Sequence, residues 1–106
     1  MNDDMLNDFM QESKESIEKC INILTISSDL QNNIDEVFRA VHTVKGGASL
    51  LGLHEFKGLV HKFETFLDLI RENIIDVTDE VEGLVLEYLY VIEKTIIIQD
   101  FNAKAD

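Results

Sequence analysis

Apolar residues recur every three or four positions along most of the chain, and polar breaks divide them into four stretches. In the first, residues 3–26, Met5, Phe9, Ile17, Cys20 and Leu24 share a stripe in which Ser13 is a small gap. Asn2 or Asp3 can cap this helix, and Asp4 suits its positive end. Ser27 to Asn33 is polar and reads as a connection, with Asn32 or Asn33 capping a second helix over 34–51. Its stripe is Ile34, Val37, Val41, Val44, Ala48 and Leu51, and Gly52 stands where a C-terminal cap glycine belongs. The third helix, 54–72, has the widest apolar face, made by Phe56, Leu59, Val60, Phe63, Phe66, Leu67 and Ile70. Thr78 caps a fourth helix over 79–99, with Asp79 and Glu80 in its first turn. Val81, Leu84, Val85, Tyr88, Val91, Ile92 and Thr95 follow as its apolar positions.

Short connections suit antiparallel neighbours, so the pattern predicts an all-α, up-down four-helix bundle occupying residues 1–106 as one domain. The absence of proline agrees with long helices. Ile96-Ile97-Ile98 does not fit one core. Some of the three are exposed or meet further chain or partner, which leaves room for the start of a further C-terminal helix. Phe101 to Asp106 reads as a fraying end.

Net charge is −12, which disfavours nucleic acid or an anionic membrane as a partner held by general electrostatics. No apolar run approaches the roughly 20 residues of a membrane span, and Met1-Asn2-Asp3-Asp4 lacks a signal-peptide pattern. The single cysteine, Cys20, falls on the core stripe. A cytoplasmic domain with a mixed-charge or basic protein partner is the expectation.

The second helix carries the chemistry. His42 lies about 120° from the centre of the stripe, at about 100° per residue, on the exposed flank. Arg39, Gly46 and Ser49 share that side, and Lys45 is one turn on, nearer the stripe. Gly46 and Gly47 each cost a helix interior about 1 kcal/mol relative to alanine, so a close approach to His42 is the reading for both. Imidazole titrates near ~6.5, so a neutral nucleophile is available around neutral pH. A carboxylate accepting from Nδ1–H would fix the tautomer and leave the Nε2 lone pair free. On the third helix His61 points most directly away from the core, while Glu64 is turned to the flank and meets His42 if the two helices pack antiparallel. Lys45 can balance the charge of an anion attached to His42. The set suits a histidine that accepts and passes on a phosphoryl group.

The run Phe38-Arg39-Ala40-Val41-His42-Thr43-Val44-Lys45-Gly46-Gly47-Ala48, followed by Leu51-Gly52, resembles the histidine-containing phosphotransfer (HPt) domain. It is most similar to the version at the N-terminus of CheA-type chemotaxis histidine kinases. His42, Lys45 and Gly46 match the family's second-helix hallmark, and His61 and Glu64 match its third-helix pair. The resemblance implies that a kinase domain, in cis or trans, phosphorylates His42 at Nε2 using ATP and Mg²⁺ held outside this domain. A receiver-domain aspartate of a response regulator then takes the phosphoryl group. It also implies that Glu64 bonds the other imidazole nitrogen, that His61 tunes the site and that Lys45 helps place the phosphoryl group. The domain is then the phosphoacceptor of a histidine kinase in a two-component phosphorelay and no catalyst alone, for it has no Walker-type loop.

Two other readings stand beside this one. A metal site from His42, His61 and Glu64, with His54, lacks an i, i+4 ligand pair and soft ligands, so no metal is expected. An adaptor bundle without phosphotransfer would have no use for histidine, lysine and glycine together. Leu50, off the stripe, is an exposed leucine or a partner contact near His42.

Overall fold

The computed structural model describes residues 3–99 and 101. Four helices follow one another: α1 Asp3–Ser27, α2 Leu30–Leu50, α3 His54–Arg71 and α4 Asp79–Ile98. Residue pairs across the seams give the topology. Lys19 meets Glu36, and Gly47 lies against Phe9, so α1 and α2 run antiparallel. His42 meets Glu64, and Phe38 lies under Arg71, so α2 and α3 do the same. Phe63 stacks on Tyr88 at 4.6 Å between α3 and α4. The bundle measures 41 × 24 × 20 Å, the long axis matching 25 residues at about 1.5 Å each.

The ends of the helices have local causes. Asp29 accepts from the backbone N–H of Asn32 at 3.2 Å and from its side-chain amide at 2.7 Å. This starts α2 at Leu30, four residues before the sequence pattern placed it, and makes Asp29 the cap in place of Asn32 or Asn33. Gln31 and Asn32 lie on the exposed side of that turn, while Leu30 is fully buried and extends the stripe. Polar residues next to a cap do not stop a helix whose apolar face is anchored. At the other end Leu53 N–H bonds Ala48 O and Gly52 N–H bonds Ser49 O. That double closure needs a left-handed residue at position 52, and Gly52 has φ +71°. Thr78 accepts from Val81 N–H at 3.1 Å and caps α4. The Asn2 cap of α1 and the tail at 102–106 lie outside the described residues.

The core is filled from all four helices, with Ile17, Leu24, Leu30, Phe56, Phe63, Leu67, Leu89 and Ile92 fully buried. Three apolar assignments change. Met5 is half-exposed. On α4, Leu84 and Val91 face outward, whereas Leu89 and Ile96 are buried with Val85 and Ile92. That helix is apolar on most sides, so spacing alone does not select its inner face. Ile97 and Ile98 are exposed. Phe101 does not fray: it is buried, 5.1 Å from Phe56 and 6.5 Å from Phe9. Cys20 is buried, which together with nearby Glu36 pushes its thiol up to about 11. No helix among the described residues is long and apolar enough to cross a membrane.

The two adjacent glycines part company. A Cβ at Gly46 would meet nothing within 4 Å, whereas one at Gly47 would lie 2.6 Å from Cδ1 of Phe9. Gly47 therefore serves the close packing of α1 on α2, and the expectation that it clears the approach to His42 is corrected. Gly46→Ala is expected to stabilise the fold by up to about 1 kcal/mol through helix propensity. Gly47→Ala should instead destabilise it by about 1–3 kcal/mol, because Phe9 is pinned by Phe56 and Phe101 and has little room to yield. Urea unfolding of the two variants measures both, and equal effects would contradict this division.

Candidate functional site

The site sits on the α2–α3 seam, half-way along both helices. The core stripes of α2 and α3 bury Val41, Val44, Val60, Phe63 and Leu67. Burying these residues turns His42 and Lys45 of α2 towards one flank and Glu64 of α3 towards the same flank. Glu64 is the pivot, with its side chain 10% exposed. Its Oε2 lies 2.5 Å from His42 Nδ1, and its Oε1 accepts from Lys45 Nζ at 2.7 Å. Each carboxylate oxygen thus has one partner from α2.

Burial by itself disfavours charge on Glu64. Hydrogen bonds and positive charge from Lys45 and His42 together outweigh that cost and hold the carboxyl below the usual carboxylate range. An ionised Glu64 is acceptor-only, so the hydrogen between it and His42 is on Nδ1. The imidazole side chain is 62% exposed, and in its neutral form a hydrogen on Nδ1 leaves the lone pair on Nε2. The arrangement is a nucleophile oriented by a carboxylate, itself held by a cation.

Other sequence-selected residues fall less simply. Lys45 does not stand free for an anion on His42, because its ammonium is committed to Glu64 and its side chain is 21% exposed. His61 is exposed, with Nδ1 3.6 Å from Glu64 Oε1, an ion-pair distance too long for a hydrogen bond. Gly46 is exposed and open beside His42. His54, at the start of α3, is exposed, as is Leu50. Among the described residues no group of three or more His, Cys, Asp or Glu side chains is placed to hold a metal ion.

Two residues near the cluster, Phe38 beside His42 and Arg71 against Phe38, were assigned no role from the sequence. Phe38 lies one turn before His42, with ring planes 12° apart and centroids 6.1 Å apart. Arg71, from the last turn of α3, sits over the Phe38 ring at 4.1 Å. The i, i+4 spacing of Phe38 and His42 is a readable signal, but the reach of Arg71 across the seam is not.

The Glu64 pair predicts a pH dependence. A carboxyl depressed in the folded state contributes stability that is fully present above its unfolded pKa of ~4.3 and is lost as pH falls through the lower folded value. The stability gap between wild type and Glu64→Gln, from urea unfolding, should therefore narrow as pH falls below about pH 4.5. A gap unchanged down to pH ~3 would contradict the ionised pair.

Comparison with known proteins bears on the family of the chain. The sequence model of the Hpt domain matches residues 4–94. The chain is 41% identical over 95 residues to the chemotaxis protein CheA of Treponema pallidum, covering 87% of this chain and 12% of that protein. It is 33% identical over 107 residues to CheA of Bacillus subtilis, covering 95% and 16%. It is also 30% identical over 101 residues to CheA of Borreliella burgdorferi, covering 92% and 12%. The chain thus spans only 12% to 16% of the length of these relatives. With the match running through all four helices and the histidine, the chain belongs to the Hpt domain family, the histidine-containing phosphotransfer domains of two-component signalling.

Proposed function

We propose that His42 is the phosphoacceptor of a CheA-type phosphorelay, taking a phosphoryl group from an ATP-dependent kinase domain and passing it to a receiver-domain aspartate of a response regulator. The observation that carries this reading is the 2.5 Å contact between His42 Nδ1 and Glu64 on an exposed flank. Glu64 holds the proton on Nδ1, so Nε2 presents its lone pair to the incoming phosphorus. As the N–P bond forms and the bond to the nucleotide breaks, positive charge grows on the imidazole. The Glu64 carboxylate lies against that charge and stabilises it. In the return step the aspartate oxygen attacks phosphorus, the N–P bond breaks and Nε2 recovers its lone pair, with Nδ1–H held throughout.

Lys45 acts on Glu64 in this scheme. Its ammonium occupies Oε1 and leaves Oε2 to His42. Gly46 leaves the neighbouring surface clear for the donor. ATP and Mg²⁺ belong to the kinase and receiver domains, in the cytoplasm, and this chain supplies the acceptor alone.

Incubation with a CheA-type kinase core, ATP and Mg²⁺ tests the reading. Wild type should gain an acid-labile, alkali-stable label that His42→Gln does not. Equal labelling of both would sink the assignment, and no labelling of either would favour an adaptor bundle. Glu64→Ala should keep its helical circular dichroism yet label at least about 10-fold more slowly. Unchanged kinetics would remove Glu64 from the mechanism.

A further inference from the structure

Glu64 fixes less of His42 than the short contact suggests. A hydrogen bond to Nδ1 selects the tautomer and anchors one atom. The χ2 torsion of histidine is broad, and this imidazole is 62% exposed, so its plane needs a second constraint. Helical side chains lean towards the N-terminus of their helix, which carries the imidazole over residue 38 and away from residue 46. At residue 38 it faces a ring, with planes 12° apart and centroids 6.1 Å apart. At residue 46 there is no side chain, and a Cβ built there has nothing within 4 Å. The imidazole thus has a wall on one side and open space on the other.

The wall is itself held. Phe38 is half-buried against the core, and the Arg71 guanidinium lies 4.1 Å from its centroid. Arg71 Nη2 lies in turn 3.3 Å from Asp68 Oδ1, an ion-pair contact without a hydrogen bond. A cation over an aromatic face is favourable, and a planar guanidinium restricts the ring beneath it. The third helix therefore reaches His42 twice, directly through Glu64 and indirectly through Arg71 and Phe38.

We infer that Phe38 is a positioning residue that fixes the imidazole plane of His42, with Arg71 holding Phe38 in place, while Glu64 fixes the tautomer. The inference rests on His42 being the phosphoacceptor, but the orientation it describes applies to any phosphoryl donor.

Phosphoramidate, a small donor, tests it without a partner protein. Its P–N bond breaks and ammonia leaves as the bond from Nε2 to phosphorus forms. Phe38→Tyr keeps the ring and should react within about twofold of wild type, whereas Phe38→Leu should be slower by about 3- to 10-fold. Arg71→Gln should fall between them, at about two- to threefold slower. In each variant the ¹⁵N shifts of His42 should still report the Nδ1–H tautomer. Side-chain ¹³C relaxation should show a more mobile imidazole in Phe38→Leu and Arg71→Gln. A Phe38→Leu protein that reacts at the wild-type rate, or Tyr and Leu variants slowed alike, would overturn the inference. Should Phe38→Leu lose its fold, Arg71→Gln decides, and wild-type rate and imidazole mobility there overturn it equally. The expected phosphoramidate order in a protein that no kinase core labels would support the positioning role while sinking the phosphorelay assignment.

Discussion

A single carboxylate at the α2–α3 seam sets the demands on the rest of the molecule. Glu64 is almost buried, and burial of an unpaired charge is costly. Two donors from α2 make the position tenable, one on each oxygen. His42 and Lys45 are three residues apart, so they lie on adjacent turns of one flank and can flank one carboxylate. The pairing works only while α2 and α3 keep their register to within a fraction of an ångström.

The core supplies that register. Fully or nearly buried residues of both helices interdigitate beneath the site, among them Val41, Val44, Val60, Phe63 and Leu67. Asp29 and Gly52 fix where α2 begins and ends. Gly47 lets Phe9 of α1 press against α2 from the far side, and Phe9 is backed by Phe56 and Phe101. His42 is therefore mounted on rigid elements and not on a loop. Its surface is also distinct in charge. Of nine Lys and Arg residues in a chain of net charge −12, five lie on α2 and α3: Arg39, Lys45, Lys57, Lys62 and Arg71. An anion placed there would be spared much of the repulsion it would meet at α1 or α4.

The four helices and their order were legible because three of them have a clear apolar stripe, and an amphipathic stripe repeats with the helical period. The start of α2 was not, since Gln31, Asn32 and Asn33 resemble a loop until Asp29 is seen to cap them and Leu30 to anchor them. The inner face of α4 was not, because a helix apolar on most sides has no preferred face until its neighbours are placed. Phe101 looked like part of a loose end because its partners, Phe9 and Phe56, are distant in sequence.

At the site, residue types and spacings singled out His42, the flank it occupies and Glu64 on α3 as its partner if the two helices pack antiparallel. These are properties of one helix or of two helices with known stripes, and a local pattern encodes them. Only the tertiary structure decided how the charges are shared. It gave Lys45 to Glu64, left His61 at 3.6 Å, spent Gly47 on Phe9 and brought Arg71 onto Phe38. Each of those depends on the distance between two helices to within about the length of a hydrogen bond, and no spacing along one strand of sequence contains that distance.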